Sequence, residues 1–177
     1  MRAISFVAIC GFISIVGPRA AYSRGVVSWG GYPGYEEVRD TPPGDDFVAI
    51  GAGIVHSLAL RSDGSIAAWG ADMMGQVSGA PTGPGFLAIA GAGHASHAIR
   101  YDGSIISWGS DSYGQVSDTP SGNDYVSLAG GGTVSIALRS DSTVVVWGSD
   151  YYGQISDAPT ESGFIAIAAG EEYLLAL

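Results

Sequence analysis

Short apolar segments alternate with glycine-rich and polar turns along residues 25–177, and none of these segments carries the 3.6-residue period of an amphipathic helix. Three kinds of strand-like segment recur, represented by FLAIAGAG, SHAIR and SIISWG. Between the second and third kinds, Asp63-Gly64 and Asp102-Gly103 predict hairpin turns whose glycine has positive φ. Asp141-Ser142 occupies the same place in the next repeat, where a residue with a Cβ is costlier. The pattern predicts an all-β chain.

The three segments form a unit that recurs along the chain. Trp-Gly pairs begin at positions 29, 69, 108 and 147, which are 40, 39 and 39 residues apart. An aromatic column follows the same period at Phe47, Phe86, Tyr125 and Phe164. The first repeat departs from the others, since WGGYPGYEEV has one extra residue and Glu37 where a glutamine would fall. A period of about 40 residues with several strands per unit predicts the blades of a β-propeller.

The two ends of the repeat region are complementary. Four repeats occupy residues 24–177, which predicts a domain of about four blades. Residues 25–29 match a third strand, and residues 174–177 match a second strand. We therefore expect the ends to pair and complete the last blade. The alternative is an open arc that pairs head to tail with a second copy, so that a homodimer closes the ring.

The first 23 residues have the pattern of a secretory signal. Met1-Arg2 is basic, residues 3–16 are an uninterrupted apolar run, and Ala21-Tyr22-Ser23 is a small-x-small cleavage site. The run is shorter than the ~20 residues that span a membrane. The sequence predicts a signal peptide over 1–23 and a secreted or periplasmic mature protein that leaves the membrane after cleavage. The alternative is a buried N-terminal strand.

Three copies of one motif connect the chain to a known family. Trp-Gly-x-Asp-x-x-Gly-Gln stands here as WGADMMGQ, WGSDSYGQ and WGSDYYGQ, with GIVHSLALRSDG before the first copy. Over residues 25–177 the sequence resembles the regulator-of-chromosome-condensation repeat family, and it is similar in style to the secreted β-lactamase-inhibitor propeller of that family. The resemblance implies a β-propeller, usually of seven blades, that serves as a scaffold for binding. It suggests a β-lactamase as the target.

The residues that recur are predicted to be structural. The tryptophans are expected to pack between blades, where the following glycine permits close backbone approach. The glutamines are expected to tie the loops by amide hydrogen bonds, and the motif aspartates to form Asx turns. This structural set comprises Trp29, Trp69, Trp108, Trp147, Gln76, Gln115 and Gln154.

The residues that differ between repeats are the candidate binding site. Strand direction places the loops after the first and third strands at the same end of every blade, and function concentrates on loops held by a rigid scaffold. Tyrosine and methionine are enriched in protein interfaces, and neighbouring acids suit a partner with a basic or mixed patch. The alternative is that these side chains fold back over the blade edge. The predicted partner-binding residues are Tyr32, Tyr35, Met73, Met74, His94, Tyr113, Tyr151, Tyr152, Glu171, Glu172 and Tyr173.

Composition excludes several classes of function. The chain has no lysine and a formal net charge of −10, so it lacks the basic stripe that nucleic-acid binding requires. Cys10 is the single cysteine, and the three histidines fall at different repeat positions, which argues against a metal site. No cofactor motif is present.

Three functions remain open at this point. The first is a secreted, non-enzymatic protein-binding module, in the manner of an inhibitor. The second is a structural fragment or oligomer-building arc of a larger propeller. The third is a secreted propeller hydrolase, which is disfavoured because no nucleophile–base pair breaks the repeat, so no catalytic residues are predicted.

Overall fold

The computed structural model describes residues 6–9, 12–15, 25–30 and 40–177. Within the predicted signal segment, β1 (Phe6–Ile9) pairs antiparallel with β2 (Phe12–Ile15). The remaining strands form four small antiparallel sheets, one for each repeat. The described residues contain no helix that is long and apolar enough to cross a membrane. The prediction of an all-β fold is confirmed.

Three of the four sheets are complete three-stranded blades with strands in chain order. The first blade contains β3 (Phe47–Ala52), β4 (His56–Arg61) and β5 (Ile66–Gly70). The second contains β6 (Phe86–Ala92), β7 (Ala95–Arg100) and β8 (Ile105–Gly109). The third contains β9 (Tyr125–Gly130), β10 (Val134–Arg139) and β11 (Val144–Gly148). The fourth sheet has only β12 (Ile167–Ala169) and β13 (Leu174–Ala176).

The hairpins between second and third strands have the predicted geometry. Gly64 has a φ of 85° and Gly103 a φ of 83°. Ser142 has a φ of 67° and is the only non-glycine residue with positive φ in the described part of the chain. The backbone shape of the turn is therefore retained where the favourable residue is absent. The carbonyl groups at these positions accept hydrogen bonds from Phe86, Tyr125 and Phe164 of the following blades.

The hydrophobic core lies between blades and is divided among their interfaces. Between the first and second blades, Leu58 and Leu60 pack with Phe86, Ile89 and Trp108. The first strands of successive blades contact each other, β3 with β6, β6 with β9, and β9 with β12. Gly91 lies at one of these contacts, where a Cβ would come within 2.5 Å of the Ala52 backbone. The blades are thus held by side-chain packing and by close backbone approach.

Each complete blade has an irregularity that the sequence did not reveal. The register shifts by one residue near the start of the first strand, between Phe47 and Ala49 in the first blade. The additional residue is apolar and exposed in all three blades, and the corresponding residue of the fourth repeat is also exposed. This exposed column consists of Val48, Leu87, Val126 and Ile165.

The four sheets form an open arc. Residues 25–30 contain no strand, and β13 pairs only with β12 among the described elements. The expected pairing of the two ends is therefore not present, and the alternative of an open arc describes this structure. A groove of about 560 Å³ remains beside β13, lined by Val146, Pro159, Phe164 and Leu175 among others.

Candidate binding face

We use the term loop face for the end of the arc that carries the loops after first and third strands. The loops after third strands cover residues 71–79, 110–118 and 149–157. The loops after first strands cover residues 53–55, 93–94, 131–133 and 170–173. Strand direction puts these seven loops at one end, opposite the hairpin turns.

One aspartate organises each of the longer loops. Asp111 Oδ1 accepts hydrogen bonds from the backbone N–H groups of Val116 and Ser117, at 2.9 and 2.8 Å. Asp72 and Asp150 make the same pair of contacts in the other two loops. These hydrogen bonds, first of all those from the backbone of the serine six residues on, lower the pKa of all three carboxyl groups. The aspartates are therefore ionised, and each one connects the start of its loop to the backbone near the end of the same loop.

One glutamine fixes the tip of the same loop. The side-chain oxygen of Gln115 accepts a hydrogen bond from the backbone N–H of Tyr113 at 2.8 Å. Gln76 does the same for Met74, and Gln154 for Tyr152. Each loop therefore presents two adjacent side chains on a backbone that is held internally, at little further cost in conformational entropy on binding.

The loops are also fixed to the next blade by tryptophan. Trp108 Nε1 donates to the carbonyl oxygen of Gln76 at 3.0 Å, and Trp147 Nε1 donates to that of Gln115 at 3.0 Å. Both indoles are buried, as is Trp69. Trp29 does not share this environment, because it is 84% exposed with no blade packed over it. The expectation that all four tryptophans lie between blades is thus wrong for Trp29.

The side chains predicted to meet a partner are mostly exposed at the loop tips. Tyr151 is 83% exposed, and more than half of the surface is also exposed for Met73, Met74, Tyr113, Tyr152 and Tyr173. Glu171 is exposed, while Glu172 and His94 are half-buried. Tyr32 and Tyr35 lie outside the described residues. Apolar and aromatic groups that a fold leaves in water on one face are typical of interaction sites.

Charge is distributed unevenly between the two ends of the blades. Arg61, Arg100 and Arg139 all end second strands, on the hairpin side. Arg61 pairs there with Asp46, and Arg139 lies 3.7 Å from Asp124. In the described part of the chain the loop face has acidic residues and no arginine. The described residues of the loop face therefore carry a net negative charge.

The histidines form contacts between blades that sequence analysis missed. His56 Nε2 lies 2.8 Å from Ser96 Oγ of the next blade, and His97 Nε2 lies 2.8 Å from Ser135 Oγ of the blade after that. His97 also contacts Ser107 Oγ through Nδ1 and packs edge-on against Trp147, with ring centroids 5.1 Å apart. The signal was present in the sequence, because each serine lies about one repeat beyond its histidine.

Burial keeps both of these histidines neutral. It lowers the pKa of His97 to about 3, with a smaller contribution from His56. Burial followed by the neighbouring His94 lowers the pKa of His56 to about 4, against a smaller opposing effect of Asp72. Both rings are almost fully inaccessible, so neither His–Ser pair can reach a substrate. The described residues also contain no cluster of three or more metal-ligating side chains.

Comparison with solved structures identifies the fold. The ectodomain of the Physcomitrella patens receptor kinase CR4 matches with a TM-score of 0.63 and 26% identity, over 74% of this chain and 35% of that chain. Prp20p from Saccharomyces cerevisiae, whose structure was described with its binding properties to Gsp1p and histones, matches with a TM-score of 0.63 and 19% identity, over 74% and 43%. This chain has the RCC1-like β-propeller fold.

A second structure of the yeast RCC1 protein supports the same assignment. That structure, of Kap60 bound to yeast RCC1 (Prp20), matches with a TM-score of 0.62 and 19% identity, over 74% of this chain and 41% of that chain. The RCC1-like chain described here thus spans less than half the length of these solved chains. No protein-family model and no curated protein matches the sequence.

Proposed function

We propose that the chain is a non-enzymatic protein-binding module that captures a partner on its loop face. The observation that carries this proposal is the set of exposed methionine and tyrosine side chains on loops held by repeated aspartate and glutamine hydrogen bonds. Rigid aromatic side chains supply contact area at low entropic cost. The yeast RCC1 structures, described with Kap60, Gsp1p and histones, support a protein as the partner class. Inhibition of an enzyme such as a β-lactamase is one form that this capture takes.

We propose that residues 1–23 are a secretory signal and that the mature binding module is secreted or periplasmic. The proposal rests on the basic start, apolar run and small-x-small site of the sequence. Intact-mass measurement of the protein exported from the producing cells is expected to show Arg24 as the first residue. A protein that stays in the cytoplasm with Met1 attached would contradict it.

The test of partner capture compares two faces of the same scaffold. Tyr113, Tyr151 and Tyr152 are replaced together by alanine, and Tyr101→Ala on the hairpin side, where the tyrosine is also exposed, is the matched control. Proteins recovered by the immobilised chain from its producing organism and that organism's surroundings are identified, and each is then purified for a binding measurement. We expect a partner whose affinity survives Tyr101→Ala and falls at least about 100-fold in the triple variant, since central aromatic residues dominate interface energies.

Two outcomes would contradict this function. One is a partner that binds the triple variant and the parent chain equally well. The other is loss of the folded circular-dichroism spectrum in the triple variant, which would mean that the tyrosines pack against the blades.

The open end of the arc favours a second candidate function, an oligomer-building arc. In the described structure β13 has one unpaired edge, Leu175 is exposed, and Gln154 receives no indole N–H of the kind that Gln76 and Gln115 receive. Residues 26–29 (VVSW) have the sequence of a third strand, and Val27 is exposed. If residues 26–29 of one copy paired with β13 of a second copy, the unpaired edge of β13 and the exposed third-strand segment would both gain a partner. Light scattering is expected to give a dimer mass that Trp29→Ala shifts toward monomer, and a monomer at all concentrations would refute this candidate.

A further inference from the structure

A small cup on the loop face brings together residues from three successive repeats. It has a volume of about 240 Å³ and is lined by Tyr113, Thr133, Ser149, Tyr151, Tyr152 and Glu172. Tyr113 comes from the loop of the second blade, the adjacent tyrosines from the loop of the third, and Glu172 from the turn of the fourth. The cup is therefore a product of the fold, since no single loop contains its parts.

The carboxylate of the cup is held in place. Glu172 Oε2 accepts hydrogen bonds from Thr133 Oγ1 at 3.2 Å and from Gln154 Nε2 at 3.3 Å. Gln154 Nε2 also contacts the carbonyl oxygen of Glu172 at 3.2 Å. These contacts orient the carboxylate without neutralising it, because both donors are uncharged.

The negative charge of Glu172 has no ionic partner within the described residues. The three arginines of the blades lie at the hairpin end, and the ion pairs found there join Arg61 to Asp46 and Arg139 to Asp124. Removal of a carboxylate from water raises the free energy of its charged form, and a cationic group beside it offsets this cost. An oriented and unpaired carboxylate in a cup therefore indicates a cationic group supplied from outside.

The aromatic walls suit the same kind of ligand. The rings of Tyr151 and Tyr152 meet edge to face, with centroids 4.8 Å apart and planes at 86°. A lysine ammonium or arginine guanidinium within about 6 Å of the centroid of such a ring is attracted to it. The same walls cover the aliphatic stem of a long basic side chain.

The cup is unique among the described repeats. The positions one, two and three repeats before Glu172 hold Thr133, His94 and Val55. The loop tip of the first repeat holds Met73-Met74 where the third has two tyrosines. The combination of a glutamate with two adjacent tyrosines therefore occurs at one place among the described repeats.

We propose that this cup binds one basic side chain, a lysine or arginine that protrudes from the protein partner. This inference rests on the proposed function and specifies the partner's contact group. The side chain lies against the tyrosine walls of the cup, and its charged end pairs with Oε1 of Glu172. An acidic or phosphorylated group is excluded by the carboxylate itself.

The test uses the full chain and small probes, so that it does not depend on finding the partner. N-acetyl-lysine N-methylamide and N-acetyl-arginine N-methylamide are titrated against the chain, and the tyrosine ring resonances are followed by NMR. N-acetyl-norleucine N-methylamide is the uncharged probe of similar shape. We expect the two basic probes to shift the rings of Tyr151 and Tyr152 with millimolar dissociation constants that rise with salt.

Matched variants decide the role of the carboxylate. Glu172→Gln is expected to weaken binding of the basic probes at least about tenfold, a loss of about 1.4 kcal/mol. Glu161→Gln removes the same charge from an exposed residue that is not part of the loop face. It is expected to change the dissociation constant less than about twofold, because an exposed charge is screened by solvent. Thermal unfolding by circular dichroism establishes that both variants remain folded.

Three results would overturn the proposal: equal binding of norleucine and lysine probes, equal losses in the two glutamine variants, or no ring shifts with any basic probe. These failures are distinguishable from failure of the proposed function. If the probes do not bind but the triple tyrosine variant loses its partner, the loop face is an interface that takes no basic side chain in this cup. If the probes bind and the triple variant keeps its partner, the partner lies elsewhere.

Discussion

Replacing Trp108 by alanine tests whether the tryptophans hold the blades together. Trp108 is 6% exposed and packs with Leu58, Leu60 and Phe86, on both sides of the interface between the first two blades. Its indole N–H donates to the carbonyl oxygen of Gln76 in the neighbouring loop. The substitution therefore opens a cavity in the interface and removes a hydrogen bond from a buried carbonyl.

The expected cost follows from these two contributions. Truncation of a buried tryptophan to alanine lowers the free energy of unfolding by about 3–5 kcal/mol, through lost transfer energy and the remaining cavity. Trp108→Phe keeps most of the packing and leaves the Gln76 carbonyl with only the longer 3.5 Å hydrogen bond from Ser96 Oγ, so its cost is expected to be about 1–3 kcal/mol. Against a typical domain stability of about 5–15 kcal/mol, the alanine variant loses a large part of the total.

Urea unfolding followed by far-ultraviolet circular dichroism measures these differences without depending on tryptophan fluorescence. Trp29→Ala is the matched control at a protein concentration at which light scattering gives a monomer, because Trp29 occupies the same motif position and is 84% exposed. It is expected to change stability by no more than about 0.5 kcal/mol. A loss below about 1 kcal/mol for Trp108→Ala would refute the packing argument. A loss for Trp29→Ala as large as that for Trp108→Ala would show that Trp29 is covered in solution.

Three further predictions concern the blades. In the folded chain the pKa is lowered from 6.5 to about 4 for His56 and to about 3 for His97. Between these values and pH 6.5, the histidines bind protons in the unfolded chain but stay neutral in the folded chain. The free energy of unfolding is therefore highest above pH 6.5 and falls as the pH is lowered. Urea unfolding at pH 7.5 and pH 5 is expected to differ by on the order of 1–2 kcal/mol per histidine, and equal stabilities would contradict their burial as neutral rings. Ser142→Gly is expected to raise the free energy of unfolding by up to about 1 kcal/mol. The substitution relieves the strain of a non-glycine residue at positive φ, and the entropic cost of glycine offsets part of this gain. A clear loss of stability would contradict the turn geometry. Gly91→Ala is expected to cost about 1–3 kcal/mol, because its Cβ would meet the Ala52 backbone, whereas Gly51→Ala, with no neighbour closer than 3.5 Å, is expected to be nearly neutral; equal costs would contradict the close approach.

The fold was predictable because its determinants repeat. A single hairpin such as Asp102-Gly103 is weak evidence, but the same turn between the same two strands in successive repeats fixes the strand order of each blade. The unfavourable Ser142 was predictable for the same reason, since its neighbours in the repeat show that the backbone there needs positive φ. The residue types of each turn and the repeat period predict the same hairpin at the same positions.

Contacts between repeats were harder to predict. His56 and His97 occupy different positions within their repeats, so a search for recurring columns treats them as unrelated. They perform the same task because strands of adjacent blades meet face to face, and each buried imidazole contacts a serine hydroxyl of the next blade through Nε2. Periodicity identifies the blades but does not give the register in which one blade packs on the next.

The behaviour of the ends was not determined by local sequence. Residues 25–29 have a third-strand pattern, yet strand pairing also requires that an edge be within reach. In the open arc β13 and residues 25–30 do not meet, and Trp29 is left in water. Composition and pattern specify what a segment is suited to form, while the curvature of the whole arc decides whether its partner is present.

Hydrogen–deuterium exchange of the chain, free and bound to its recovered partner, tests the central claim that the loop face is the binding surface. The account predicts that protection on binding is concentrated in peptides covering residues 71–79, 110–118, 149–157 and 170–173. The hairpins at residues 62–65, 101–104 and 140–143 are expected to exchange at unchanged rates. Protection concentrated on those hairpins, or confined to the open edge of β13, would contradict the account.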